Sequence, residues 1–101
     1  MQIPHRKMQL KKISVEEAES IALSAFSYIT GDDQRMSRFL SISGLRVDTI
    51  RIAAESAGFF AGILDYIVSD EALLISFAEQ EKVKPEHVMQ ARWTLSPSEF
   101  E

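Results

Sequence analysis

The chain has 101 residues, of which 46% are apolar and 26% are charged, as expected of one globular domain rather than a disordered or membrane-embedded protein. Its apolar runs are shorter than the roughly 20 residues that a membrane-spanning helix requires. The absence of cysteine excludes disulfides and thiolate metal sites. We also find no secretory signal pattern, so we expect a cytoplasmic protein that does not bind membranes.

The net charge of −4 is distributed unevenly along the chain. Four of the 11 basic residues precede the first acidic residue, Glu16, whereas all 15 acidic residues lie at or after it. Because this N-terminal stretch also contains Pro4 and lacks periodicity, we predict a flexible basic arm over residues 1–13. A single helical domain over residues 14–96 and a short tail over 97–101 would follow. The acidic balance of the domain disfavours general binding to nucleic acids.

The first predicted helix begins after Ser14 and ends near Gly31. Ser14 and Glu17 fit a capping box, and Gly31 stands where a left-handed cap is expected. Apolar residues recur at three- and four-residue steps, which indicates one buried face: Val15, Ala18, Ala22, Ala25, Phe26 and Ile29.

The next two predicted helices flank Gly44. The earlier one begins at Asp32 or Asp33, either of which can cap it, and Gly44 ends it. Its apolar face consists of Met36, Phe39 and Leu40. The later one is predicted from Val47 to Ser56, with inward-facing residues Val47, Ile50, Ala53, Ala54 and Ala57.

Three further helices are predicted towards the C-terminus. Phe59 to Val68 is the most apolar segment, so we expect a central helix there. Glu71 to about Lys82 follows, and a last helix begins with Pro85 in its first turn. The apolar face of the first of these helices consists of Phe60, Ile63, Leu64, Ile67 and Val68. That of the second consists of Leu73, Leu74, Phe77 and Ala78. That of the last consists of Val88, Ala91 and Leu95.

These elements predict an all-α fold, a compact orthogonal bundle of about six short helices. The residues expected to be most buried are Phe26, Phe39, Ile50, Ile63, Leu64, Ile67, Leu74 and Phe77.

No pattern in the sequence indicates catalysis. The two histidines, His5 and His87, lie far apart and have no ligand partners at metal-binding spacing. The serines do not form a nucleophile elbow, and the dispersed glycines do not form a phosphate-binding loop. We therefore assign no catalytic, metal-binding or cofactor-binding residue and expect no cofactor.

Residues 39–53 could form a helix-turn-helix. Gly44 would lie in the turn, and Leu45–Ala53 would be the recognition helix. Four arginines would lie near the binding surface: Arg35, Arg38, Arg46 and Arg51. Leu40, however, occupies a position where this motif usually has alanine. The alternative is that these arginines form an outer face and pair with Asp32, Asp33, Asp48 or Glu55.

Met89 and Trp93 lie four residues apart on the last predicted helix, outside its apolar stripe. They either widen the buried face or form an exposed apolar patch that a partner protein could cover.

Four segments together resemble a family of short alphaproteobacterial helical proteins, a domain of unknown function. They are Ser14-Val-Glu-Glu-Ala18, Gly31-Asp-x-x-Arg-x-x-Arg-Phe-Leu40, Ser43-Gly-Leu45 and Asp70-Glu-x-Leu-Leu-x-x-Phe-Ala78. The likeness extends from Ser14 to Leu95 and implies no activity or cofactor. Our leading hypothesis is a non-catalytic protein-interaction module that binds a partner protein or a second copy of itself. The alternatives are a DNA-binding protein that uses Leu45–Ala53 and an enzyme without a recognisable motif.

Overall fold

The computed structural model describes residues 13–56 and 58–95, which form six α-helices joined by short turns. The helices are α1 (Val15–Thr30), α2 (Asp33–Ser43), α3 (Ile50–Ala53), α4 (Phe59–Val68), α5 (Glu71–Glu81) and α6 (Pro85–Leu95). No strand occurs among these residues, which confirms the predicted all-α bundle. The predicted arm up to residue 12 and the predicted tail, residues 97–101, lie outside the described part of the chain.

Ile13 attaches the start of the described chain to the last helix. Its backbone N–H donates to the hydroxyl of Thr94 at 3.0 Å, and that hydroxyl donates to the Ile13 carbonyl at 3.0 Å. The Ile13 side chain also packs against the hydrophobic core. This residue, the last of the predicted arm, therefore lies against the bundle.

Three helices begin as the sequence indicates. In each, a side-chain oxygen at the N-cap accepts a hydrogen bond from a backbone N–H of the first turn, which would otherwise lack a partner. These caps are Ser14 (from Glu17, 3.0 Å), Asp32 (from Arg35, 3.0 Å) and Asp70 (from Leu73, 3.2 Å). The Glu17 carboxylate contacts His87 on α6, at 2.9 Å, and so links two helices.

The helix ends differ in part from the prediction. Gly44 adopts a left-handed conformation, with φ of 78°, and ends α2 as expected. The predicted left-handed cap at Gly31 is wrong: its φ is −80°, because the extended Asp32 starts α2 directly and no left-handed reversal is needed. Lys82 adopts this conformation instead, and Val83 donates to the Ala78 carbonyl in a Schellman arrangement.

The core lies where α1, α4 and α6 pack against one another, with α2 and α5 alongside. Three fully buried alanines on α1 allow this close approach: Ala18, Ala22 and Ala25. Six of the eight predicted core residues are buried, namely Phe39, Ile63, Leu64, Ile67, Leu74 and Phe77. Phe26 and Ile50 are only half-buried, and Val15, predicted to face inward, is exposed.

The predicted helix from Val47 to Ser56 is wrong, because the helical part is the single turn α3. Thr49 provides the reason: its hydroxyl accepts from the Arg46 N–H and donates to the Arg46 carbonyl, each at 3.1 Å. These bonds hold a local turn that competes with helix formation. Val47 and Ala54 are exposed, whereas Ile50 and Ala53 are half-buried. The side chain of Ala57 lies outside the described residues.

Candidate functional site

An open groove of about 530 Å³ lies between α2 and α4, and the segment 45–56 borders it. Most of the residues that line this groove are apolar or small: Phe39, Ile42, Ser43, Leu45, Ala53, Ser56, Gly58, Phe59, Gly62, Ile63, Asp65, Tyr66 and Ser69. Grooves with this lining bind apolar groups, because their main contribution to affinity is the removal of apolar surface from water.

The groove exists because one side of it is built from a short, loosely packed segment. A longer helix after Gly44 could have covered α2 and α4, but α3 has one turn and packs closely against neither of them. Phe39 and Tyr66 contact each other edge to face, with ring centroids 5.1 Å apart, and join the two walls. Gly62 adds no side chain to the α4 wall, which leaves the space open.

Three aliphatic side chains beside the groove are exposed to solvent, and we call them the apolar rim. They are Ile42, Val47 and Ile52, which are 60%, 68% and 71% exposed. Ile42 also lines the groove, whereas Val47 and Ile52 do not. Val47 and Ile52 lie within two residues of Leu45 and Ala53, which line the groove, so the apolar rim is close to the groove along the chain. Exposed apolar surface of this kind often marks interaction sites on small proteins.

The polar groups of the groove are largely engaged within the fold. Asp65 accepts from Arg92 Nε at 2.8 Å, which links α4 to α6. The Ser43 hydroxyl accepts from the Leu45 N–H at 3.2 Å, and the Ser69 hydroxyl donates to the Tyr66 carbonyl at 2.9 Å. A ligand in this groove would therefore meet mainly apolar surface.

Two of the predicted site arginines, Arg35 and Arg38, lie on α2 and are held by neighbouring helices. Arg35 Nε donates to the Tyr28 carbonyl at 2.9 Å, and its guanidinium carbon lies 3.8 Å from the centre of the Tyr28 ring. This places a cation over an aromatic face. Arg38 pairs with Asp70 at 3.4 Å, a partner that the sequence did not indicate. Neither arginine lines the groove.

The other two, Arg46 and Arg51, lie on the segment beside the groove. Arg46 binds Asp48 through two hydrogen bonds, one of them from Nε at 3.0 Å, which agrees with the expected pairing. Arg51 is exposed and has no ion pair among the described residues. Because the expected recognition helix is only one turn long, the DNA-binding alternative lacks the element that would enter a major groove.

Met89 and Trp93 lie on α6, away from the groove. Met89 is 40% exposed and Trp93 is half-buried, so this pair forms neither a full part of the core nor a wide exposed patch.

Neither a metal-binding cluster nor a membrane-spanning helix occurs among the described residues. Among residues 13–56 and 58–95, no group of three or more histidine, aspartate or glutamate side chains could hold a metal ion. None of the helices in this part of the chain is long and apolar enough to cross a membrane.

The fold and the groove define a small all-α domain with an open apolar groove on its surface. Residues 15–98 match the family described as protein of unknown function (DUF3572), and the chain belongs to this family. No curated protein and no solved structure matches the chain.

Sequence reasoning missed the groove, although one signal pointed towards it. Ile42 falls outside the Met36–Phe39–Leu40 face of α2, and Ile52 falls outside the inward-facing residues predicted after Gly44. Aliphatic residues outside the predicted buried faces on both sides of a glycine turn indicate exposed apolar surface. That this surface lies near a groove depends on how α2 and α4 are placed in the bundle.

Proposed function

We propose that this protein is a non-catalytic interaction domain that binds a protein through the groove between α2 and α4. The observation that carries the proposal is an apolar groove bordered by a segment whose aliphatic side chains are exposed. Ile42, Val47 and Ile52 each expose at least 60% of their surface. A partner that covered them would remove apolar surface from water, which favours binding.

The polar side of the site supports protein binding over catalysis. Asp65, a carboxylate that lines the groove, is paired with Arg92. The hydroxyls of Ser43 and Ser69, which also line the groove, bond to nearby backbone groups. Groups engaged in this way are less available to act on a substrate, which supports a binding role. We also place the protein in the cytoplasm, which agrees with the absence of cysteine, since small secreted domains often depend on disulfides.

The test compares two substitutions of the same residue type. Ile42→Glu places a charge in the groove, whereas Ile75→Glu places one on α5, where the side chain is also exposed and does not line the groove. Each variant is expressed with a tag in the native cell, cross-linked and purified, and the cross-linked proteins, including the chain itself, are quantified.

We expect Ile42→Glu to lose most of the cross-linked protein that the wild type retains, and Ile75→Glu to retain it. Circular dichroism of both variants checks that the helices are intact. Equal retention by the two variants would show that the groove is not the binding surface.

A further inference from the structure

We propose that the groove binds a second copy of this chain, so that the apolar rim of each copy lies in the groove of the other across a two-fold axis. This inference rests on the proposed function, because it assumes that the groove is the binding surface.

The arrangement of the site favours a second copy over a separate peptide or helix. A peptide that filled the groove would cover Ile42, but Val47 and Ile52 would still face solvent because they lie outside the groove. In a two-fold dimer the same surface of each copy forms the contact, so that surface must supply both the inserting groups and the recess that receives them. The rim of each copy would then contact the groove of the other, and this contact would occur twice. The segment 45–56 carries the exposed Val47 and Ile52 and also Leu45 and Ala53, which line the groove. The same segment thus supplies both apolar groups that could insert and part of the recess that could receive them.

The charges on the same segment are also self-complementary. Arg51 and Glu55 are both exposed, and neither has an ion pair among the described residues. Two copies of this segment running in opposite directions would bring Arg51 of each near Glu55 of the other. Opposite charges placed in this way help to fix the orientation of two partners.

The first experiment measures self-association of the purified full chain by sedimentation velocity, up to the millimolar concentrations at which weak dimers form. We expect the wild type to shift from monomer to dimer as concentration rises. Ile52→Glu should weaken the dimer by about tenfold or more, because it places a charge in the desolvated contact. Ile75→Glu, on α5, should dimerise as the wild type does.

A variant of the other apolar surface tests the location of the contact. Met89→Glu, on α6, should leave the dimer unchanged. A wild type that stays monomeric at millimolar concentration would overturn the inference. Loss of the dimer with Met89→Glu but not with Ile52→Glu would also overturn it.

The second experiment tests the two-fold arrangement by exchanging charges. Arg51→Glu and Glu55→Arg should each weaken self-association, because each places like charges opposite one another. When the two variants are mixed, both contacts join opposite charges again, so the mixed dimer should form in preference to either dimer of one variant. A mixture that shows no such preference would overturn this arrangement.

Failure of the inference can be distinguished from failure of the proposed function. If the purified wild type stays monomeric while Ile42→Glu still loses cross-linked proteins in the cell, the groove binds a different partner and only the inference fails. If Ile42→Glu and Ile52→Glu change neither self-association nor cross-linking, both fail.

Discussion

Leu64 lies at the centre of α4 and is fully buried. Ile63 and Ile67 on the same helix are buried as well. It packs in the core beside the alanines of α1, whose small side chains leave room for a large neighbour. Because the chain is short, each large buried side chain accounts for a sizeable part of the total hydrophobic stabilisation.

Replacement of Leu64 by alanine should therefore lower the free energy of unfolding by about 2–5 kcal/mol, through lost transfer energy and the cavity that remains. Urea denaturation followed by circular dichroism measures this change. Leu23→Ala, at a side chain that is 54% exposed, is the control and should change the free energy by under about 1 kcal/mol. A similar small change at Leu64 would contradict its place in the core.

At the scale of single elements, α1, α2 and α5 begin at a side-chain cap, whereas α3 and α4 do not. The segment of α3 contains Thr49, whose hydroxyl bonds to both backbone groups of Arg46. Helical propensity alone is too weak to keep a short helix folded, so packing decides: α4 has four buried residues and persists, whereas α3 has none. In α2, by contrast, Asp32 caps the start and Gly44 ends the helix.

Two glycine substitutions should change stability in opposite directions. Gly44→Ala should destabilise the protein by about 1 kcal/mol, because its φ of 78° is unfavourable for a residue with a Cβ atom. Gly62→Ala should stabilise it by about 0.5–1 kcal/mol, because Gly62 lies inside α4 and its added Cβ meets open space. Thermal unfolding at low protein concentration measures both, and shifts of the same sign would contradict the assigned conformations.

At the scale of the whole molecule, stability is distributed unevenly. The mutual packing of α1, α4 and α6 contains most of the buried residues, whereas α3 has none. Regions with few buried contacts open without global unfolding. The segment that borders the groove is therefore the part of the described chain that opens most easily.

Hydrogen exchange should reveal this difference. We expect the amides of α1 and α4 to exchange slowest, and those of residues 45–56 to exchange through local opening, faster by several orders of magnitude. Mass spectrometry of peptides from each region, at low protein concentration, gives the rates. Equal protection of residues 45–56 and α4 would show that the segment is an integral part of the core.

Much of the fold could be predicted from local chemistry. The caps at Ser14, Asp32 and Asp70, the turn at Gly44 and the buried face of α4 depend on residues within one or two turns of each other, so the sequence indicates them directly. The helix prediction failed after Gly44, where two local patterns indicate different structures. Apolar spacing predicted a helix from Val47 to Ser56, but the hydroxyl of Thr49 favoured a turn.

The candidate site, in contrast, was decided by tertiary structure. None of the six predicted site residues lines the groove. Arg35 binds Tyr28 on α1, and Arg38 binds Asp70, the N-cap residue of α5. The sequence by itself determined where α1, α2, α4, α5 and α6 start and most of the buried faces, because those properties depend mainly on near neighbours. Only the packing of α2 and α4 against α1 brought Phe39 and Tyr66 together and left the space beside them open. A groove is the gap between elements, and no local sequence pattern encodes their separation.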